Sequence, residues 1–189
     1  MKKVAVLVAE GFEEIECATP TDVLRRASCD VVLAGLTGME IKGAHGLVFK
    51  MDTLISSLSG EFDMLVLPGG MPGAKHLGDS MEAKKLATDM YNDGKLVTAI
   101  CAAPVMTLGA WGLLNGKKAA CYPGMEGMFP ENVSFSSERV VVDGNIITSC
   151  GPGTALEFSI CLAAHIAGKD IATKLAADML LGQQSRIYA

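Results

Sequence analysis

The chain is predicted to fold as one doubly wound α/β domain around a mostly parallel sheet. Three observations carry that expectation. A continuous apolar run opens the chain at Val4–Ala9, and further buried-strand segments recur at Val31–Leu36, Asp63–Leu67 and Leu96–Ile100, as in parallel strands buried on both faces. Helix-start and helix-stop signals fall between them, so strands alternate with helices at βαβ spacing. The chain has 189 residues, half of them hydrophobic, with 21 glycines and few aromatics, which suits a single substantial core with close helix–sheet packing.

Each element follows from local residues. After Val4–Ala9 comes the acidic stretch Glu10–Glu16, and then Thr19-Pro20-Thr21-Asp22 reads as a helix start. Thr19 takes the N-cap, Pro20 the first turn, and the helix ends near Ser28. Val31–Leu36 completes the first βαβ unit. Gly38 to Met51 reads as an extended or hairpin excursion. The strand Asp63–Leu67 ends in Pro68-Gly69-Gly70-Met71-Pro72-Gly73, where adjacent glycines let backbone approach a ligand or simply turn. Asp79-Ser80-Met81-Glu82 opens a helix that stops at Asn92-Asp93-Gly94. Leu96–Ile100 follows, with a helix from about Pro104 and a short strand at Ala119–Tyr122. Val140–Thr148 is a hairpin about an Asp143-Gly144 turn. Thr154 and Glu157 form a capping box for a helix through Ala167, and a last helix runs from Asp170 to about Leu181, before a tail from Gly182.

A net charge of −5 with scattered basic residues speaks against a nucleic-acid partner. The uncharged stretch between Lys95 and Lys117 is long enough to cross a bilayer. Pro104, Gly109, Gly112 and Asn115 interrupt it, and strand–turn–helix explains it better. The N-terminal apolar run stops at Glu10, too early for a secretory signal. Six cysteines without a C-x-x-C pair or a Cys/His cluster argue against structural zinc and for reduced thiols in the cytoplasm.

The chemistry converges on Cys101. A strand that breaks sharply into a helix exposes the residue at the break beside unpaired helix N–H groups, as in a nucleophile elbow. Those groups favour a thiolate. The plain alternative is one more buried apolar cysteine. In a doubly wound sheet, ligands sit beyond the C-terminal strand ends, and Glu16, Gly69-Gly70 and Cys101 all follow strands. Cys101 is then the nucleophile, the N–H groups of Gly70 and Ala102 an oxyanion site, and Glu16 a carboxyl kept protonated by desolvation. Glu16 alone reads equally as part of a solvated acidic face.

The segments Gly11–Glu16, Leu67–Gly70, Ala99–Pro104 and Thr148–Thr154 together resemble the ThiJ/PfpI superfamily, within it the DJ-one subgroup, over nearly the whole chain. The resemblance implies a flavodoxin-like α/β/α sandwich, a homodimer, and a reactive Cys101 hydrogen-bonded to a protonated Glu16. It places Arg26 at the partner subunit's site. The activities implied are glutathione-independent glyoxalase action on methylglyoxal, or related small carbonyls such as glyoxal, and deglycation of early adducts. No metal or cofactor takes part. The alternative is an oxidative-stress sensor or redox-regulated chaperone in which Cys101 becomes a sulfinate. Tyr122 stands where many animal members have histidine, and a phenol with a reference pKa of about 10 is a poor base at neutral pH. Ala102 replaces the histidine of the protease branch, and no His-x-Glu pair of the amidotransferase kind follows. The three histidines read as structural or surface groups, with His45 the exception, on an excursion that could approach the site across a dimer interface. Roles for Cys17, Cys121 and Cys150 in oxidation stay open.

Overall fold

The computed structural model describes residues 1–181; the tail expected from Gly182 lies outside them. In chain order the strands and helices are β1 (Lys3–Val8), α1 (Glu14–Arg26), β2 (Asp30–Gly35), β3 (Glu40–Lys42), β4 (Val48–Lys50), β5 (Thr53–Leu54), β6 (Met64–Leu67), α2 (Gly73–Asp79), α3 (Met81–Asn92), β7 (Leu96–Ile100), β8 (Lys118–Ala119), β9 (Ser134–Phe135), β10 (Val140–Asp143), β11 (Ile146–Ser149), α4 (Ala155–Ala167) and α5 (Lys169–Asp178). A wide π-type helical segment, Pro104–Gly109, follows β7.

The central sheet has the order β10-β11-β7-β6-β1-β2-β5. Every neighbouring pair is parallel except β10 with β11. Helices α1, α4 and α5 pack together, while α2, α3 and the π-type segment form a second group. This is the α/β architecture that the alternating sequence pattern predicts. Strands β6 and β7 have almost no exposed side chain because both faces are covered. From β1 the chain runs outward to β2 and β5, then returns to β6 on the other side. The β1/β6 boundary is therefore the topological switch point, where such sheets open a crevice.

Helix α1 departs from expectation. Thr19 and Pro20 do not start it; it begins at Glu14, and Pro20 lies inside. Glu13 is the N-cap, extended at φ −81°, and its carboxylate accepts from the Ile15 N–H at 3.5 Å. Glu14 and Glu16 in the first turn and Arg25 and Arg26 in the last match the helix dipole. The proline costs one helical bond, that to the Glu16 carbonyl. Just beyond it, the Thr21 hydroxyl donates to the Cys17 carbonyl at 2.7 Å.

Smaller departures have equally local causes. The short helix α2 was not foreseen in the glycine-rich stretch after β6. The strand expected at Ala119–Tyr122 is the two-residue β8. Ser80 caps α3 as expected, accepting from the Ala83 N–H at 3.2 Å. Thr154 and Glu157 do not form a capping box. The Thr154 hydroxyl turns back to Gly151 and Ser149, and Glu157 is held by Arg139 at 2.7 Å. Among the described residues, no helix is long and apolar enough to cross a membrane.

Candidate active site

Cys101 follows β7 at a sharp break. Its φ is +67°, a region that L residues rarely occupy. The turn is pinned on both sides: the Cys101 N–H donates to the Ser149 carbonyl at 3.0 Å, and the Tyr122 N–H donates to the Cys101 carbonyl at 2.8 Å. The chain then enters the π-type segment through Ala102 and Ala103, with Pro104 at its start. This is the elbow expected from the sequence, strained and tied in place.

Glu16 sits beneath the sulfur and is 0% exposed. Its Oε2 accepts from the Gly69 N–H at 2.9 Å, while Oε1 has no hydrogen-bond partner among the described residues. Gly69 makes this approach possible. A Cβ there would fall 2.6 Å from both the Cys101 Cβ and the Glu16 Oε2. Gly70, at φ +85°, leaves no room either, since a Cβ would lie 2.3 Å from the Glu13 nitrogen. The two glycines that ended the predicted strand thus bring thiol and carboxyl against one another.

Burial pushes the Glu16 carboxyl up to about 7, against hydrogen bonds from the Cys101 thiol and the Gly69 N–H that pull it down. The Cys101 thiol is pushed up to about 12, first by burial and then by the charge of Glu16. The low-pKa thiol expected from the helix N-terminus is therefore corrected by its surroundings. Backbone N–H groups of Gly70 and Ala102 do favour its anion, but burial and the carboxylate outweigh them. Two acids this close titrate as a pair. Between about 7 and about 12 the pair carries one negative charge. That charge lies on Glu16 while the thiol keeps its proton, and the N–H groups of Gly70 and Ala102 stand ready to stabilise the sulfur anion once Glu16 takes that proton.

No other thiol is arranged this way among the described residues. All six cysteines are free. Cys17 and Cys121 are pushed up to about 12, mainly by burial. Cys150 donates to the Glu138 carbonyl at 3.4 Å. None of these three has backbone N–H groups turned to its sulfur.

Cys101 opens into a cavity of about 390 Å³ whose walls include Gly70, Ala102, Tyr122, Glu13 and His45. Tyr122 is 47% exposed and forms the rim, its ring packed over Gly151. His45 reaches this cavity from its own chain, in the loop between β3 and β4, not across an interface as expected. Its Nδ1 is 3.0 Å from Glu14 Oε2 and 3.3 Å from Glu13 Oε2. The three residues bring ligand-type atoms within 4.8 Å of one another. They are already engaged as a carboxylate–imidazole pair, with Glu14 also taking two backbone N–H bonds. Arg26 is not at this site. It is exposed on the last turn of α1 and paired with Asp22 at 2.7 Å. Sequence reading missed Glu13 and Glu14 as site residues. Glu13 stands three positions before Glu16, a spacing that could have pointed to it, whereas Glu14 had no local signal because its partner His45 lies 31 positions away.

The chain was compared with known proteins. The model of the DJ-1/PfpI family matches residues 2–165. Protein DJ-1 homolog B of Arabidopsis thaliana is 38% identical over 182 residues, covering 95% of this chain. The chain spans only 42% of that plant protein's length. A Pyrococcus abyssi protein named a deglycase is 34% identical over 154 residues, 80% of this chain and 91% of its own. The solved structure of oxidized Toxoplasma gondii DJ-1 superimposes with a TM-score of 0.93 at 38% identity, covering 96% of this chain and 100% of that one. Family model, relatives and fold agree: this chain belongs to the DJ-1/PfpI family.

Proposed function

We propose that the protein is a glutathione-independent glyoxalase or deglycase-type enzyme that acts on methylglyoxal and related small carbonyls, or on early glycation adducts, without metal or cofactor. The observation that carries this reading is Cys101 on a strained turn, directly above a buried carboxyl pushed up to about 7. Glu16 takes the thiol proton as the sulfur attacks the aldehyde carbon of methylglyoxal. The carbonyl electron pair moves to oxygen, which takes the Glu16 proton and gives a hemithioacetal. The hydrogen on that carbon leaves as a proton and is returned at the neighbouring ketone carbon. The first carbon is thereby oxidised to a thioester and the second reduced to an alcohol. Water cleaves the thioester, releasing lactate and restoring the thiol. The sum is methylglyoxal plus water to lactate.

Purified protein should form lactate from methylglyoxal without glutathione, and Cys101→Ser should form none. Undiminished lactate from Cys101→Ser would sink the reading. A homodimer in the cytoplasm belongs to the same proposal, in which Arg26 reaches the partner subunit's site; its exposure supports that reading.

A second reading is favoured by one observation, the unpartnered Oε1 of Glu16. Hydrogen peroxide would oxidise Cys101 to a sulfinate, and a protonated Glu16 would hold one of its oxygens. Site-resolved mass spectrometry after mild peroxide should then find two added oxygens on Cys101. Oxidation spread evenly over the six cysteines would count against it.

A further inference from the structure

We propose that His45, held by Glu14 and Glu13, is the second acid–base group of this site and carries the proton between the two carbons of the bound substrate. The inference rests on the carbonyl chemistry just proposed. It starts from a gap in that chemistry. Glu16 is fully buried under the sulfur, with one oxygen committed to Gly69. It can serve the sulfur and the aldehyde oxygen, while the substrate's second carbon has to extend from the sulfur into the cavity that His45 also lines. Tyr122 and Glu13 line that cavity together with His45. Among those side-chain types, imidazole is the one that takes and gives a proton readily near neutral pH.

The ring is held as a proton carrier needs to be. Nδ1 faces two carboxylates, so it carries the hydrogen and Nε2 is left as the basic nitrogen. Nε2 makes no hydrogen bond among the described residues. The loop itself is clamped: the His45 N–H donates to Glu14 Oε1 at 2.7 Å, and the Leu47 N–H donates to the same oxygen at 3.3 Å. Gly43 allows the fit, because a Cβ there would collide with the Glu14 carboxylate at 2.4 Å. Further bonds join the loop to the entry of α1, from Ala44 to Phe12 at 2.8 Å and from Gly11 to Lys42 at 2.9 Å. The hydrogen bond that the ring donates to Glu14, then the charges of Glu13 and Glu14, hold the imidazole above its ordinary value, which strengthens it as a base.

In the proposed step, neutral Nε2 removes the proton from the sulfur-bearing carbon of the hemithioacetal. The electron pair left behind forms the enediolate, and the imidazolium returns the proton to the adjacent carbon as the hydroxyl proton on the first oxygen passes to the second. His45 ends as it began, and no oxidant or reductant is consumed. Glu13 and Glu14 act through the ring and are positioning residues.

The experiment follows Cys101 adduct and lactate separately. Wild-type protein, His45→Gln and His45→Ala are mixed with methylglyoxal, the adduct read by intact mass and the lactate by rate. His45→Gln should keep the adduct and lose on the order of 100-fold in kcat, the scale of one acid–base group, with little change in KM. Added imidazole should restore His45→Ala in proportion to its free-base concentration, which a purely structural histidine would not show. A His45→Gln variant with wild-type kcat overturns the assignment. So does one that loses adduct and lactate together, or a His45→Ala indifferent to imidazole. A wild-type protein that makes no lactate overturns this assignment and the functional reading alike, and the wild-type arm alone reveals that.

Discussion

Glu16 is the residue whose environment departs furthest from what water would give it. In the folded chain its carboxyl is pushed up to about 7, chiefly by burial, from an ordinary 4.5. The folded state thus binds this proton more tightly than the unfolded chain does. The stabilisation is fully present below 4.5 and is lost as pH rises through about 7. The shift corresponds to roughly 3 kcal/mol at most. Glu16→Gln removes the charge, and the amide oxygen can still accept from the Gly69 N–H. Its melting temperature should change less than the wild type's between about pH 5 and about pH 8, and should exceed the wild type's at the upper end. Thermal unfolding at both pH values checks this, and an unaltered pH dependence in the variant would place the cost elsewhere. The opposite sign is expected for Asp63, held below the usual carboxylate range first by the Lys3 N–H and then by Lys2. Its contribution is present above the ordinary carboxylate value and is lost as pH falls through the lower folded one. The two carboxylates should therefore be separable in one pH–stability curve.

At the scale of elements, the site is made where the ends of β6 and β7 meet the first turn of α1. Gly69 marks that meeting point. A methyl group there would be 2.6 Å from the Cys101 Cβ, 2.6 Å from Glu16 Oε2 and 2.8 Å from the Ile100 carbonyl oxygen. Gly69→Ala should cost about 1–3 kcal/mol by overpacking and change the alkylation rate of Cys101, because the methyl wedges between thiol and carboxyl. Iodoacetamide labelling of folded protein measures the second effect, and an unchanged rate would show that the two groups are not coupled through this glycine. The elements differ in how legible they were. Strands β1, β6 and β7 were plain because parallel strands buried on both faces are uninterrupted apolar runs. Cys101, Gly69 and Gly70 were plain because they end those strands. The start of α1 was misread because Thr19-Pro20 is a strong start signal, while the cap actually used is Glu13, whose carboxylate looks like any surface acid. Short α2 contains two glycines in seven residues and has no cap side chain, so no local signal announced it. The pairing of Glu14 with His45 spans 31 positions. It depends on how the β3–β4 loop folds over α1, which no local pattern encodes.

For the whole molecule, the arrangement separates the site from most of the core that supports it. Met64 is fully buried at the N-terminal end of β6, paired with Val4 on one side and Leu96 on the other. The same strand leads out to Gly69 at the opposite edge, about 15 Å away at the usual rise of a strand. Met64→Ala should cost about 2–5 kcal/mol through the cavity it leaves. For a chain of this size that lowers the melting temperature by on the order of 10 °C. Below that temperature, Cys101 should alkylate at the wild-type rate, because distant sites without shared partners act independently. Thermal unfolding and labelling on the same sample test both halves. Gly69→Ala should move labelling and stability together; Met64→Ala should move stability alone. If Met64→Ala also shifts labelling, then the strained turn at Cys101 is held by the sheet as a whole. The Gly69→Ala result would in that case report on the core as much as on the contact between thiol and carboxyl.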